Sequence, residues 1–156
     1  MKTATVRELK LELKDKSIDE LVEICLTLSK FKKENKELLT YQLYEKSDEE
    51  SYIESVKTEA LEMFEEVNTK SIYYIKKSVR KILRNIKKYI RYSKKKETEV
   101  ELLLFFCTEL KLMPSIQNSK VLMNIFETQI NTIQKKIALL HEDLQYDYNS
   151  ILEELI

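Results

Sequence analysis

The sequence contains no glycine and a single proline, Pro114. Tight β-hairpin turns need residues that accept positive φ, and phosphate-cradling loops are built from glycine. These absences argue against strands joined by hairpins and favour helices joined by short polar links. With 43% hydrophobic residues among 156, the chain is long enough to build a core. We therefore expect an all-α fold and one domain over residues 1–156.

The sequence has few histidine and cysteine residues that could serve in catalysis or metal binding. His141 is the only histidine, and on a helix its neighbours Glu142 and Asp143 would point away from it. We interpret it as a surface or helix-end histidine, and an enzyme built around it is a third, weaker hypothesis for the function. Cys25 and Cys107 have no metal-ligand or redox spacing. They lie in apolar helical runs, so we expect reduced core residues in a cytoplasmic protein. The sequence predicts no catalytic residue, metal site, cofactor or small-molecule substrate.

Long apolar runs are also missing. The longest, Leu102 to Cys107, is far too short to cross a bilayer, and the N-terminal segment carries charges throughout, unlike a signal peptide. The 27 basic and 27 acidic residues cancel. The molecule as a whole therefore has no electrostatic attraction to nucleic acid or to an anionic membrane, and such a partner would have to be bound locally.

One segment is strongly basic. Lys70 to Lys96 contains twelve Lys or Arg and no Asp or Glu. Its apolar residues recur at spacings of three and four, which predicts an amphipathic helix; they are Ile72, Ile75, Val79, Ile82, Ile86 and Tyr89. The opposite side, which we call the basic arc, consists of Lys76, Lys77, Arg80, Lys81, Arg84, Lys87, Lys88 and Arg91. Arginine suits planar, bidentate contact with carboxylate or phosphate.

We expect this arc to bind a partner. The candidate binding residues are Arg80, Arg84, Arg91, Lys77, Lys81, Lys88 and Tyr73. The preferred interpretation is a non-catalytic protein-interaction or adaptor module, whose partner is another protein or a further copy of the chain. The alternative is a nucleic-acid-binding protein, in which Tyr73 stacks on bases. A membrane surface offers similar anions. The interpretation without a binding function is that an acidic segment neutralises the arc, since residues 45–66 contain nine acidic residues and two lysines.

The first half of the chain predicts four further helical segments. Thr5 to Leu13 is a short amphipathic segment. Ser17 and Glu20 form a capping box for a helix to about Phe31 that buries Leu21, Ile24, Cys25 and Leu28. A third short helix follows the polar link Lys32 to Asn35. Ser47 and Glu50 form a second capping box, for a helix to about Val67. Asn68 or Thr69 would cap the basic helix, which should form an antiparallel hairpin with this fourth helix.

The second half contains the expected core. Glu99 to Leu112 is apolar nearly all round, so we expect it to be the central helix, ended by Met113-Pro114. From Ser119 onward the three-four rhythm allows one long helix, but we favour a break around Gln145 to Ser150. The antiparallel hairpins, seven to eight helices in all, would stack as a small α-α superhelix or close as a bundle.

Three blocks, KSVRKILRNIKKYIRY, ETEVELLLFFC and LHEDLQYDY, resemble those of an uncharacterised bacterial family of short all-helical proteins. The resemblance implies a helical fold. It carries no activity, cofactor or functional residue with it.

Overall fold

A computed structural model describes residues 1–156, and it contains eight α-helices and no strand, so the all-α prediction is confirmed. The helices are α1 (Val6–Lys14), α2 (Ile18–Phe31), α3 (Lys33–Thr40), α4 (Glu49–Glu65), α5 (Ile72–Ser93), α6 (Lys96–Leu112), α7 (Lys120–Ile137) and α8 (Glu142–Leu155). A single π-helical turn, Tyr41–Glu45, follows α3. None of the helices combines the length and apolar character that spanning a bilayer requires.

The contacts divide the chain into two compact units, Met1–Glu45 and Lys46–Ile156. No shift in composition along the sequence indicated this division. Two compact units can still unfold as one cooperative domain, so the expectation of a single domain over residues 1–156 stays a prediction.

The first unit is built on local capping and one helix pair. α1 and α2 each begin with a capping box, Thr5 with Glu8 and the predicted Ser17 with Glu20. The backbone N–H of each cap residue donates to the glutamate carboxylate, which lowers the pKa of Glu8 and of Glu20. α2 and α3 then pack against each other across the single link residue Lys32.

The predicted burial of α2 is wrong at two positions. Cys25 and Leu28 are exposed, while Leu21 and Ile24 are partly buried. Apolar residues occupy roughly 220° of the circumference of α2 at about 100° per residue. Within this unit α3 covers only one side of that surface, so a wide apolar strip of α2 stays in contact with solvent.

The second unit stacks antiparallel helical hairpins. α4 and α5 run antiparallel: the Tyr52 hydroxyl donates to the Tyr89 carbonyl at 3.0 Å, and one turn nearer the start of α4 the hydroxyl of Ser93, the last residue of α5, donates to Glu49. α4 and α6 run parallel, since Thr98 Oγ1 also donates to Glu49 and the rings of Phe64 and Phe106 lie 5.8 Å apart. α6 packs against α8 and against α7 as well. This is the arrangement of stacked hairpins, and it confirms the predicted hairpin of α4 with α5.

α6 is the central helix of this unit, as predicted. It contacts α4, α5, α7 and α8. Its buried residues are Thr98, Val100, Leu102, Leu103, Leu104, Phe106, Cys107 and Leu110. It ends where expected, because Met113 adopts an extended conformation before Pro114.

Two predicted caps are wrong. α4 is capped by Asp48, whose side chain accepts from the backbone N–H of Ser51, and not by Ser47. α5 is capped by Ser71 rather than by Asn68 or Thr69. In both cases residues that are good N-caps stand within three positions of each other, so the local sequence does not fix which one is used.

The C-terminal segment breaks earlier than predicted. α7 ends at Ile137 and α8 begins at Glu142, so residues 145–150 lie inside α8 instead of forming the break. His141 caps α8 with its side chain, and the side-chain amide of Gln145 donates to the Leu140 carbonyl at 2.8 Å. These contacts stabilise a turn within an apolar sequence that carries no helix-breaking residue.

Candidate functional site

The basic arc is exposed because the other side of α5 is buried. Ile75, Val79, Ile82, Ile86 and Ile90 are all buried, which directs the residues half a turn away towards solvent. The arc residues Arg80, Arg84, Arg91, Lys77 and Lys81 are exposed, as is Tyr73. Lys88 differs: it is partly buried and its ammonium lies 4.4 Å from the centre of the Tyr89 ring.

Part of the arc lines a depression of about 410 Å³. Its lining residues are Tyr73, Lys76, Lys77, Arg80, Arg84 and Val121. Four of the seven candidate residues are therefore brought together, while Arg91, Lys81 and Lys88 lie outside. Lys76 and Val121 also line it but were not among the predicted binding residues. Val121 comes from α7, so only the tertiary fold places it here. No acidic side chain lines this depression.

The depression lies beside the N-terminal turn of α7, where Val121 is the second helical residue. The N-terminus of an α-helix carries a partial positive charge that favours anions. This charge adds to the four cationic side chains. Both structural sources of charge therefore select for a negatively charged ligand.

Tyr73 occupies the rim of the depression with 65% of its surface exposed. Its ring packs edge-on against Tyr74, with centroids 5.4 Å apart. An exposed ring beside Arg80 and Arg84 offers a flat apolar surface among cations. Such a surface can stack on a base or cover an aliphatic side chain.

The acidic helix α4 does not pair with the arginines of the arc. Arg80, Arg84 and Arg91 form no ion pair in the structure. The α4 carboxylates that contact α5 instead accept from other residues: Glu59 from Asn85 and from the Tyr89 hydroxyl, at 2.7 Å each, and Glu49 from Ser93. Direct neutralisation of the arginines within the chain, one interpretation of the arc, is therefore not what the structure shows.

A second depression, of about 400 Å³, is acidic and lies near the other end of α5. It is lined by Glu49, Glu50, Ile53, Glu54, Lys95, Glu97, Thr98 and Glu101. Glu49 accepts hydrogen bonds from Ser93 and Thr98 and pairs with Lys95 at 3.0 Å. Nowhere in the chain are three His, Cys, Asp or Glu side chains grouped to hold a metal ion.

His141 lies at the surface as the N-cap of α8. Contrary to the expectation, Asp143 does not point away from it: the two side chains approach to 3.7 Å. The reason is that His141 precedes the helix with an extended backbone, so helical spacing does not apply to it. Both side chains are well exposed, and neither lines any of the depressions described above.

The two cysteines differ in environment. Cys107 is fully buried in α6, and burial raises the pKa of its thiol to about 12. Cys25 is exposed on α2, so its expected core position is wrong. Both thiols are free.

Comparisons of the chain with models of protein families, with curated proteins and with solved structures find no match. The resemblance to a bacterial family of short helical proteins stays a prediction.

Proposed function

We propose that this protein is a non-catalytic interaction module whose basic arc binds an acidic segment of another protein. The observation that supports this most directly is the depression beside α7, where four cations converge with no acid and where Arg80 and Arg84 form no ion pair. Asp and Glu side chains would give the arginines the planar carboxylates that they pair with best. The proposal includes a cytoplasmic location, which the free thiols support.

The partner's acidic side chains would relieve repulsion as well as form contacts. Arg80 and Arg84 are one helical turn apart, and like charges at this spacing destabilise a helix. When carboxylates bind beside these arginines, attraction between opposite charges replaces the repulsion between like charges. Val121 and Tyr73 supply apolar area to the lining of the depression, so a partner segment with an apolar residue among its acids would fit better than a purely charged one.

Nucleic acid is the second candidate, and Tyr73 is the observation that favours it. Phosphates would contact Arg80 and Arg84, and an unpaired base would stack on the exposed Tyr73 ring. Stacking of this kind contributes about 1–3 kcal/mol per base. A duplex, whose bases are already stacked, would not gain this contribution, so single strands should bind more tightly.

The test is fluorescence anisotropy with four labelled probes: an acidic peptide, the same peptide with Gln for every Glu, a single-stranded RNA and a duplex DNA. The double variant Arg80→Gln with Arg84→Gln should lose binding. Its control, Lys30→Gln with Lys135→Gln, makes the same change of charge at two exposed lysines that do not belong to the arc.

A substitution of Tyr73 distinguishes the two candidate functions. Tyr73→Leu should weaken RNA binding by about tenfold or more, while it should leave acidic-peptide binding nearly unchanged. If neither the peptide nor any nucleic acid binds at low salt, or if the control double variant weakens binding as much as the arginine variant, both functions are wrong.

A further inference from the structure

In the first unit, helix α1 does not pack against another helix. α1 has nine residues, none of them buried, and it makes no extensive contact with another helix. Isolated helices shorter than about 12–15 residues are marginal in water. α1 nevertheless presents an apolar stripe, Val6, Leu9 and Leu13, of which Val6 is 83% and Leu9 50% exposed. A short helix with such a stripe needs a surface to pack on.

The same unit also has an apolar groove in which no helix is bound. An apolar groove of about 320 Å³ runs between α2 and α3, and it is lined by Cys25, Leu28, Ser29, Asn35, Leu38, Leu39 and Gln42. No charged side chain lines it, so an apolar helix could enter without desolvating a charge. The exposed side chains of Ile18 and Val22 extend the same side of α2 beyond the groove. Grooves of this kind bind the apolar face of an amphipathic helix.

We propose that a second copy of this chain covers this surface, with the α1 stripe of each copy bound in the α2–α3 groove of the other. The helix and the groove belong to the same unit, so one two-fold axis satisfies both copies reciprocally, as in most homodimers. The basic arc is on α5 and takes no part. The proposal is therefore independent of the proposed function.

The exposed area fits a dimer. Together, Val6, Leu9, Leu13, Ile18, Val22, Leu28 and Leu38 amount to about four fully exposed side chains. At about 100 Å² of apolar area for each, as transfer energies imply, the surface offers roughly 400 Å² per copy. About 57% of an interface is apolar, so the full contact is roughly 700 Å² per copy and about 1,400 Å² in total. Stable specific interfaces bury about 1,200–2,000 Å².

The molecular mass is the first measurement. Light scattering after size exclusion of the full chain, at physiological salt, should give twice the chain mass of 18.7 kDa. Leu9→Glu should raise the dimer Kd about 100-fold, because each dimer contains two buried copies of this side chain. Leu11→Glu is the matched control: Leu11 is 58% exposed but lies on the opposite side of α1. It should leave the dimer intact, and neither substitution removes a buried residue.

Cys25 gives a second, direct measurement. It lines the groove and is exposed, whereas the Cys107 thiol is buried with its pKa raised to about 12, so we expect the label to react with Cys25 alone. Maleimide labelling of Cys25 should slow as the protein concentration rises through the dimer Kd, in proportion to the dimer fraction. In Leu9→Glu the labelling should stay fast over the same range.

Three results would overturn the proposal. The first is a monomer at every accessible concentration with Cys25 freely labelled. The second is a monomer in which Cys25 is protected at all dilutions, which would mean that the chain covers its own groove. The third is a dimer that Leu9→Glu and Leu11→Glu weaken equally, or that neither weakens.

Discussion

Arg84 is surrounded by like charges along its own helix. Arg80 and Lys88 are four residues away from it, Lys81 and Lys87 are three away, and no acid occupies these neighbouring positions. Arg84 is exposed and forms no ion pair. If the arc is kept for binding, it should lower the stability of the free protein, and Arg84→Gln should make the protein more stable.

The size of this gain follows from the four like-charge pairs. Each costs about 0.2–0.5 kcal/mol in a helix, so removing all four should raise the free energy of unfolding by about 1–2 kcal/mol. Glutamine and arginine have nearly the same helix propensity, so the substitution adds no other large change. Salt should remove the gain, because the Debye length falls from about 30 Å at 0.01 M to about 3 Å at 1 M.

Urea denaturation followed by circular dichroism at these two salt concentrations measures both effects. The control is Lys135→Gln on α7, which removes one exposed charge with no charged residue three or four positions away. It should give no gain. A lower stability of Arg84→Gln at low salt would mean that Arg84 has a favourable partner in the free protein. A gain that persists in high salt would mean that its cause is not electrostatic.

Three further predictions concern the second unit. Lys94→Gly should raise the free energy of unfolding by about 0.5–1 kcal/mol, because Lys94 has a φ of 60° after α5; Lys95→Gly, at a φ of −81°, should lower it in the same urea titration. Glu49→Ala should lower it by about 1–3 kcal/mol, since the hydroxyl of Thr98, which is 1% exposed, loses its acceptor; an equal loss in a Thr98→Val background would contradict this. The pKa of Cys107 is about 12 in the folded state and about 8.5 in an unfolded chain. The folded state therefore keeps a proton that the unfolded state loses, and stability should fall by about 1.4 kcal/mol per pH unit from about pH 9 towards 12, a slope that Cys107→Ala should remove.

Periodicity predicted the helices well where one side of each helix is buried. α5 and α6 carry stripes that only a helix can bury, and α6 is apolar enough that it had to be central. Caps were less predictable. Ser47 and Asp48 are both good N-caps, and local sequence does not distinguish them. The break at residues 138–141 contains no glycine or proline, so it depends on contacts that form only in the folded chain.

The candidate site was predictable as a helix face but not as a depression. The spacing of Arg80 and Arg84 places both on the exposed side of α5 whatever the fold. Their meeting with Val121 depends on how α7 is placed against α5, which the sequence pattern does not encode. Burial in α2 was overestimated for a related reason: an apolar residue on a helix is buried only if another element covers it, and the first unit has too few elements.

The two depressions of the second unit have a consequence for a protein with no net charge. The basic one is lined by Val121 and by residues of α5 from Tyr73 to Arg84, and the acidic one contains Lys95 just beyond the end of α5. At about 1.5 Å per residue, their centres are roughly 25 Å apart along the helix. The unit therefore carries two separate patches of opposite charge. At low ionic strength it should bind to both cation and anion exchangers at neutral pH, and a charged partner should be attracted to the depression of opposite sign.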